Sequence, residues 1–429
     1  MSVTIRIDSL AFGGSGVGRL DGKAVFVPGT APGDLVGCRL VREKKRHAEA
    51  ELLNVLEPSP DRRREPCPVA HECGGCQWQH LPYEQQLFWK EKIFRDTLVR
   101  QAGVDGDKVL PILPSVTQWG YRSRVQFKCR MTERGFVMGF YRAGTHYVVD
   151  MARCPITDDR LNDLLPVLRS LLGNSAFANL IPQIDLAVGD DGRRRVVIHF
   201  LGSEPGTFCD WLKQPARKIE ASLFVQSGRK ETLRQVYGEE DLHIQVAEPP
   251  LTLGYGPGGF AQINLDQNRC LVAEVLAAAG LTGRERVLDL FCGMGNFSLP
   301  LARQAASVTG VEDFEPSINK ARQNARANGI DNVRFFARPA EGALQALSQE
   351  VPFDLVVLDP PRSGAYGVAK ELSTLQVPRI LYISCDPSTL ARDLQPLLHH
   401  GYALAWSRPF DLFPQTFHTE SLTLLVKES

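Results

Sequence analysis

The sequence predicts three successive units: a small antiparallel β-barrel over residues 1–58, a central α+β domain over 59–255, and a doubly wound α/β domain over 256–429. Three observations predict this division. Short β-type runs broken by glycine turns fill the first stretch, and a cysteine-rich segment followed by weaker strand signals fills the second. In the third, continuous apolar runs alternate with helical periods, the mark of parallel strands buried on both faces. A length of 429 residues exceeds what one hydrophobic core usually serves, which agrees with several domains.

In the first unit TIRIDSL, KAVFVPGT and DLVGCRLVREKKRHAEAELLNVLEP read as strands, with GGSGVGRLDG as a turn. That spacing suits a closed barrel of the oligonucleotide-binding type. Pro58, Pro60 and the run Arg62-Arg63-Arg64 mark a linker. Between Arg39 and Arg64 stand eight Lys/Arg against five Asp/Glu, a basic stripe on a chain of zero net charge. Such a stripe suits phosphate contacts.

The central unit opens with Cys67, Cys73 and Cys76, and an amphipathic helix follows from about 83 to 101, placed to pack on the third unit. VQFKCRM, FVMGFYRAG, HYVVDM, RRRVVIHFL and ASLFVQSG read as strands, interrupted by a helix from Asp159 to Leu172. In the third unit RVLDLFC, SVTGVED, VRFFAR, FDLVVLDPP and RILYISCD are the buried strands. Leu265–Ala279, Leu299–Ala305 and Glu315–Ala327 are helices between them. Open sheets of this kind bind ligands at the carboxyl ends of their strands.

Apolar content of 43% and charged content of 23% describe an ordinary globular chain. No run of the ~18 apolar residues that a spanning helix needs is present, so no membrane is expected. MSVTIRIDSL carries no secretory pattern, which makes the reducing cytoplasm the expected compartment. Ten cysteines there are ligands, nucleophiles or buried residues rather than a disulfide framework. Nothing points to an obligate protein partner.

The chemistry lies at the strand ends. VLDLFCGMGNFSLPLA puts Asp289 at the end of a strand, with Gly293 and Gly295 in the turn before a helix. Glu312, 23 residues further on, ends the next strand, where a carboxylate grips ribose hydroxyls. The third glycine of a dinucleotide turn is missing. An acidic, less glycine-rich turn favours the sulfonium of S-adenosylmethionine over a pyrophosphate.

FDLVVLDPPRSG sets Asp359 at another strand end, on a loop stiffened by two prolines and suited to support a flat base. In RILYISCDPSTLARDL, Cys385 ends a strand beside a helix N-terminus, whose dipole favours a thiolate, while Asp386 opposes it. A cysteine after a strand is more often a small buried residue; its place on the same rim as Asp289 and Asp359 makes it a candidate nucleophile. Glu420, before the last apolar strand, is the candidate base, with His418 as its rival.

Cys67-x5-Cys73-x2-Cys76, with Cys154 as a distant fourth, forms a thiolate set suited to zinc or to an iron–sulfur cluster, which spacing cannot separate. Cys38, Cys129, Cys209, Cys270 and Cys292 lack such spacing and are expected to be buried apolar residues.

Taken in order, these motifs resemble the RNA uridine-5 methyltransferases over nearly the whole chain. The resemblance implies that GGSGVGRLDGKAVFVPGTAPGD belongs to a TRAM domain, a small RNA-binding barrel. It implies that Cys67, Cys73, Cys76 and Cys154 hold a [4Fe–4S] cluster. GFAQIN implies Gln262 as a contact to cofactor and base, and DLFCGMGNF implies Phe291 and Asn296 as cofactor contacts beside Asp289, Gly293 and Glu312. DPPRSG, SCDP and HTES imply Asp359 as the base-binding acid, Cys385 as nucleophile and Glu420 as general base. Pro339-Ala340 departs from the family pattern, so any adenine contact there runs through backbone.

The implied reaction explains the residue types. Carbon 5 of uracil is too weak a nucleophile to take a methyl group directly. A thiolate added at carbon 6 makes the ring an enolate, and a base must later remove the hydrogen from carbon 5. The uridine would be flipped from its stack to reach the rim. The implied substrate is 23S ribosomal RNA, with transfer RNA as the alternative and a non-catalytic, cluster-bearing RNA-binding protein as a third reading.

Overall fold

The structure is a computed structural model and describes residues 2–229, 232–350 and 352–428. Strands β1 (Ser2–Leu10), β2 (Gly16–Leu20), β3 (Lys23–Val27), β4 (Leu35–Glu43) and β5 (His47–Glu57) form a closed barrel in the order β1-β2-β3-β5-β4. Alternate residues point inward, as a strand's period of two requires. Ile5, Ile7, Val25, Val27, Val36, Cys38, Ala48 and Ala50 fill the interior. β2 crosses β1 closely enough that a Cβ at Gly18 would lie 2.3 Å from the Arg6 carbonyl oxygen, so only glycine fits there.

The segment expected as a linker is tied down. The buried carboxylate of Asp34 accepts the Ser59 N–H at 2.8 Å and pairs with Arg62 at 2.7 Å. Much of the basic stripe is neutralised within the barrel, where Arg39 pairs with Glu51 and Arg42 with Glu49. Lys44, Lys45 and Arg46 stand exposed at the β4–β5 tip.

The central sheet contains β6 (Arg124–Thr132), β7 (Gly135–Tyr141), β8 (Val148–Asp150), β9 (Gln183–Val188), β10 (Arg194–His199), β11 (Ser222–Gln226) and β12 (Arg234–Tyr237). Its order is β12-β11-β10-β9-β6-β7-β8. The helix expected from Asp159 to Leu172 is instead two, Asp159–Asn162 and Leu164–Gly173. At the end of the first helix the buried Asn162 amide accepts the Cys154 N–H and donates to the Cys154 and Thr157 carbonyls. Pro166 accounts for the interruption, because it has no N–H to donate to the Asn162 carbonyl four residues back.

A hairpin, β13 (Leu242–Val246) and β14 (Leu251–Tyr255), leads into the C-terminal sheet. That sheet contains β15 (Arg286–Leu290), β16 (Ser307–Glu312), β17 (Val333–Ala337), β18 (Leu355–Leu358), β19 (Arg379–Ser384), β20 (Tyr402–Phe410) and β21 (Glu420–Lys427) in the order β17-β16-β15-β18-β19-β21-β20. β15 to β19 are parallel, as expected. β20 and β21 add an antiparallel pair, with β21 inserted beside β19. Strand order reverses between β15 and β18, which opens a crevice at their carboxyl ends.

Helices Leu265–Ala279 and Glu315–Ala327 have the expected bounds, while Leu299–Ala305 is realised as the shorter Ser298–Ala302. Helix Tyr83–Ala102 sends Phe94 and Leu98 into the core of this sheet and lies against helix Pro387–His399. The hairpin also packs on this side: Ile244, Leu251 and Leu253 share a core with Ile318, Ala321 and Ala325. Among the described residues no helix is long and apolar enough to cross a membrane.

Candidate active site

At the β15 end, the chain turns through Phe291, whose φ of +63° is rare for a bulky side chain, and through Gly293 at +53°. A Cβ at Gly293 would face open space, so the turn leaves room for a ligand over its backbone. Glu312 closes the turn, its carboxylate accepting the Gly293 N–H at 3.3 Å and the Phe314 N–H at 3.0 Å. Burial, with Asp313 alongside, raises its pKa.

Asp289 is fully buried under the turn and accepts the Ser298 hydroxyl at 2.5 Å, while its Oδ1 has no partner among the described residues. Burial, with Asp359 and Glu312 nearby, pushes its carboxyl up to about 7. Acidic side chains therefore gather at this end of the crevice. Asn296 is held by a reciprocal amide pair with Asn268, at 2.9 and 3.0 Å. Gln262 is buried in the segment before helix Leu265–Ala279, next to Ile263, whose carbonyl accepts both the N–H and the hydroxyl of Ser123.

The Asp289 burial has a measurable consequence. From about pH 4 to about pH 7 the unfolded chain has released this proton and the folded chain has kept it, so stability falls as pH rises through that window. Asp289→Asn removes the titration while keeping an acceptor for Ser298. Relative to wild type, the free variant is expected to gain on the order of 1–3 kcal/mol between pH 4.5 and pH 8, measured by urea denaturation. A difference that does not change with pH would overturn this account.

On the reacting side, Asp359 follows β18, and its N–H reaches the Leu290 carbonyl at 3.4 Å. Cys385 follows β19, and Glu420 begins β21. The β19–β21 register pairs Ser384 with Ser421, and the Ser421 hydroxyl donates to the Ser384 carbonyl at 3.0 Å. Cys385 and Glu420 therefore stand across the ladder from each other. Glu420 is only 3% exposed, and its Oε1 has no hydrogen-bond partner among the described residues.

The electrostatics agree with that convergence. Burial pushes the Cys385 thiol up to about 12, with Glu420 and Asp359 adding to the effect and Arg362 opposing it. Burial also raises Glu420 well above the carboxylate range, again with Asp359 repelling and Arg362 attracting. Asp359 is raised to about 7 by burial. The helix N-terminus expected to favour the thiolate is already used. Asp386 caps it, accepting the N–H groups of Ser388 and Thr389 at 2.9 and 3.0 Å. His418 is pushed down to about 4 by burial and the cations Arg362, Lys90 and Arg122. It is a weak base beside Glu420.

Cys67, Cys73, Cys76 and Cys154 line one small cavity with Gln79, Arg122, Phe140 and Met151. None is in a disulfide. Burial raises Cys73 to about 11 and Cys76 to about 12, and Cys154 repels both thiolates. Among the described residues no three His, Cys, Asp or Glu side chains are arranged to hold a single metal ion. Of the cysteines expected to be buried, Cys38, Cys129, Cys209 and Cys292 are, whereas Cys270 is half-buried. Arg362, Asn268 and Arg122 carried no sequence expectation. Arg362 lies within DPPRSG and was open to notice there, but only the folded chain turns Arg122 into the cysteine cavity.

Residues 83–428 match the tRNA (uracil-5-)-methyltransferase family, and residues 2–53 match the TRAM domain. The chain belongs to the tRNA (uracil-5-)-methyltransferase family. Its N-terminal barrel is a TRAM domain. Among relatives, the 23S rRNA (uracil(1939)-C(5))-methyltransferase RlmD of Alkalilimnicola ehrlichii is 37% identical, over 99% of this chain and 96% of that protein. The protein of the same name from Pectobacterium atrosepticum is 35% identical, over 100% of this chain and 94% of that protein. In three dimensions the chain is similar to the Pyrococcus abyssi tRNA (uracil-54, C5)-methyltransferase in complex with S-adenosyl-L-homocysteine. The TM-score is 0.76 at 25% identity, covering 99% of this chain and 100% of that one. Family membership accounts for a C-terminal methyltransferase fold with the crevice at its strand-order reversal.

Proposed function

We propose that the chain methylates carbon 5 of a uridine in 23S ribosomal RNA, using S-adenosylmethionine, through a covalent bond between Cys385 Sγ and carbon 6. The observation that carries this reading is the convergence of Cys385, Asp359 and Glu420 beside the acidic turn. The full-length relatives named for 23S RNA support the substrate. A ribosomal substrate supports a cytoplasmic location.

The cofactor supplies a methyl group on a sulfonium. Asp289, Glu312 and Asp359 offer negative charge to that cation, and Gly293 leaves backbone room beside Phe291. Gln262 and the Asn296–Asn268 pair shape the same crevice. The Cys385 thiolate adds to carbon 6, and the electrons of the 5,6 double bond move towards the carbon 4 oxygen. Once carbon 5 carries the methyl group, Glu420 Oε1 removes its hydrogen. The double bond re-forms and the carbon 6–sulfur bond breaks, returning the thiolate. Burial without a partner makes ionised Glu420 a strong base for this step.

The four clustered cysteines fit a [4Fe–4S] cluster. Their thiolates repel one another in a closed cavity, and Arg122 supplies a cation at its wall. Cys67, Cys73, Cys76 and Cys154 would hold such a cluster through their four thiolates. The domain division that follows is a TRAM barrel over 1–58, a cluster-bearing central domain over 59–255 and a catalytic domain over 256–429. Helix Tyr83–Ala102 and the β13–β14 hairpin pack on the catalytic part.

The P. abyssi similarity favours transfer RNA as the second reading. Incubating the enzyme with unmodified 23S and transfer RNA side by side, and mapping 5-methyluridine, separates the two. A single modified uridine in 23S RNA is expected. Methylation of transfer RNA alone would overturn the assignment. Iron and sulfide content of the same anaerobically purified protein tests the cluster, and bound zinc would overturn it.

A further inference from the structure

The chain reaches Glu420 from β20 through residues 411–419, and other parts of the protein grip this connection at nearly every step. Four successive carbonyls accept hydrogen bonds from four different regions. Leu412 accepts Asn264 Nδ2 at 3.1 Å, and Phe413 accepts Lys90 Nζ at 3.0 Å. Pro414 accepts the Tyr121 hydroxyl at 3.0 Å, and Gln415 accepts the Trp78 N–H at 3.0 Å.

Gln415 is the centre of the grip. It is fully buried with φ of +71°, a conformation that persists in a glutamine only when its surroundings over-determine it. Its N–H donates to Gln86 Oε1 at 2.9 Å, and its Oε1 accepts Gln86 Nε2 at 3.0 Å and Arg63 Nη2 at 2.9 Å. Four residues earlier, Asp411 pairs with Lys90 at 2.5 Å and accepts the Tyr83 hydroxyl at 2.8 Å, and neither member of the ion pair is exposed. Gln86, Lys90 and Tyr83 share helix Tyr83–Ala102, and Trp78 stands two residues after Cys76.

We propose that Gln86 and Gln415, backed by the Lys90–Asp411 pair, are positioning residues that aim Glu420 at carbon 5. The segment from Arg63 to Lys90 thereby governs release of the covalent adduct rather than its formation. This rests on reading Glu420 as the base. The selectivity for release follows from where the bonds end. Among the described residues the Gln86 side chain bonds only to Trp78, Leu81 and Gln415, and none of these lies on β19, which leads to Cys385.

The test uses the full-length protein, S-adenosylmethionine and an unmodified ribosomal RNA transcript with ordinary uridine. Gln86→Leu removes the side-chain pair, but also takes away the acceptor of the buried Gln415 N–H and a donor to the Leu81 carbonyl. Gln415→Gly removes it too, keeps the backbone bonds and suits the positive φ, so it folds where Gln86→Leu does not. Both are expected to release product roughly 10–100-fold more slowly, with a matching rise in SDS-resistant protein–RNA adduct. First-turnover methyl transfer and half-saturation by RNA stay within about threefold of wild type. A merely structural role would lower adduct and product together. Glu420→Gln, run alongside, tests the base reading: no adduct from it overturns that reading. Adduct from Glu420→Gln but none from Gln415→Gly overturns the positioning proposal.

Discussion

Cys385→Ala is expected to abolish methylation, by roughly 10⁴-fold or more, while RNA and cofactor binding persist. Without a thiolate at carbon 6, carbon 5 never becomes an enolate carbon, and no other group at the rim replaces it. Cys292 lies close in the turn, but its thiol is buried and raised well above the usual range, with Asp289 and Glu312 repelling its thiolate. The decisive measurement is RNA containing 5-fluorouridine, whose fluorine cannot leave as a proton. Wild type should form a covalent complex in the presence of cofactor and Cys385→Ala should form none. An adduct that survives the substitution would end the nucleophile assignment. A thiol pushed up to about 12 also fixes the sign of the pH dependence. The thiolate fraction of the free enzyme grows with pH, so kcat/KM is expected to rise across the neutral range rather than fall.

Glu420→Gln is expected to leave adduct formation intact and slow its breakdown by roughly 10²–10⁴-fold, the usual worth of a positioned base. The amide keeps the shape of the side chain but cannot take the hydrogen from carbon 5. Ordinary uridine RNA should then behave towards this variant as 5-fluorouridine RNA does towards wild type, and an SDS-resistant complex should accumulate. Turnover near the wild-type rate would transfer the role to another group. His418 is the neighbouring alternative, and its depressed pKa makes it a poor one.

The cofactor turn was legible because its chemistry is local. A strand, two glycines and an acid after the next strand are adjacent in sequence and stay adjacent in the fold. The strand character of β15 to β19 was legible for the same reason, since burial on both faces leaves an unbroken apolar run. Less could be seen where a residue answers to distant partners. The break between Asp159–Asn162 and Leu164–Gly173 falls four residues before Pro166, which has no N–H for the Asn162 carbonyl, whereas the grip of the Asn162 side chain on the Cys154 loop is seen only in the fold. The cap role of Asp386 was visible in residue type. That it occupies the amides otherwise available to Cys385 emerged only from its two hydrogen bonds.

By itself, the sequence determined the barrel and the parallel sheet with its acidic turn, and it offered candidates for nucleophile, base and thiolate ligands. These follow from periodicity and residue chemistry, which short stretches of chain carry without help. Only tertiary structure decided that β21 inserts beside β19, which sets Glu420 across from Cys385 although 35 residues separate them. It also brought Cys154, already the expected fourth, into one cavity with the three clustered cysteines, and set helix Tyr83–Ala102 to grip the approach to Glu420. Burial and the charges gathered around it raise the thiol and the carboxyls, and those depend on which surfaces meet, a property that no spacing along the chain encodes.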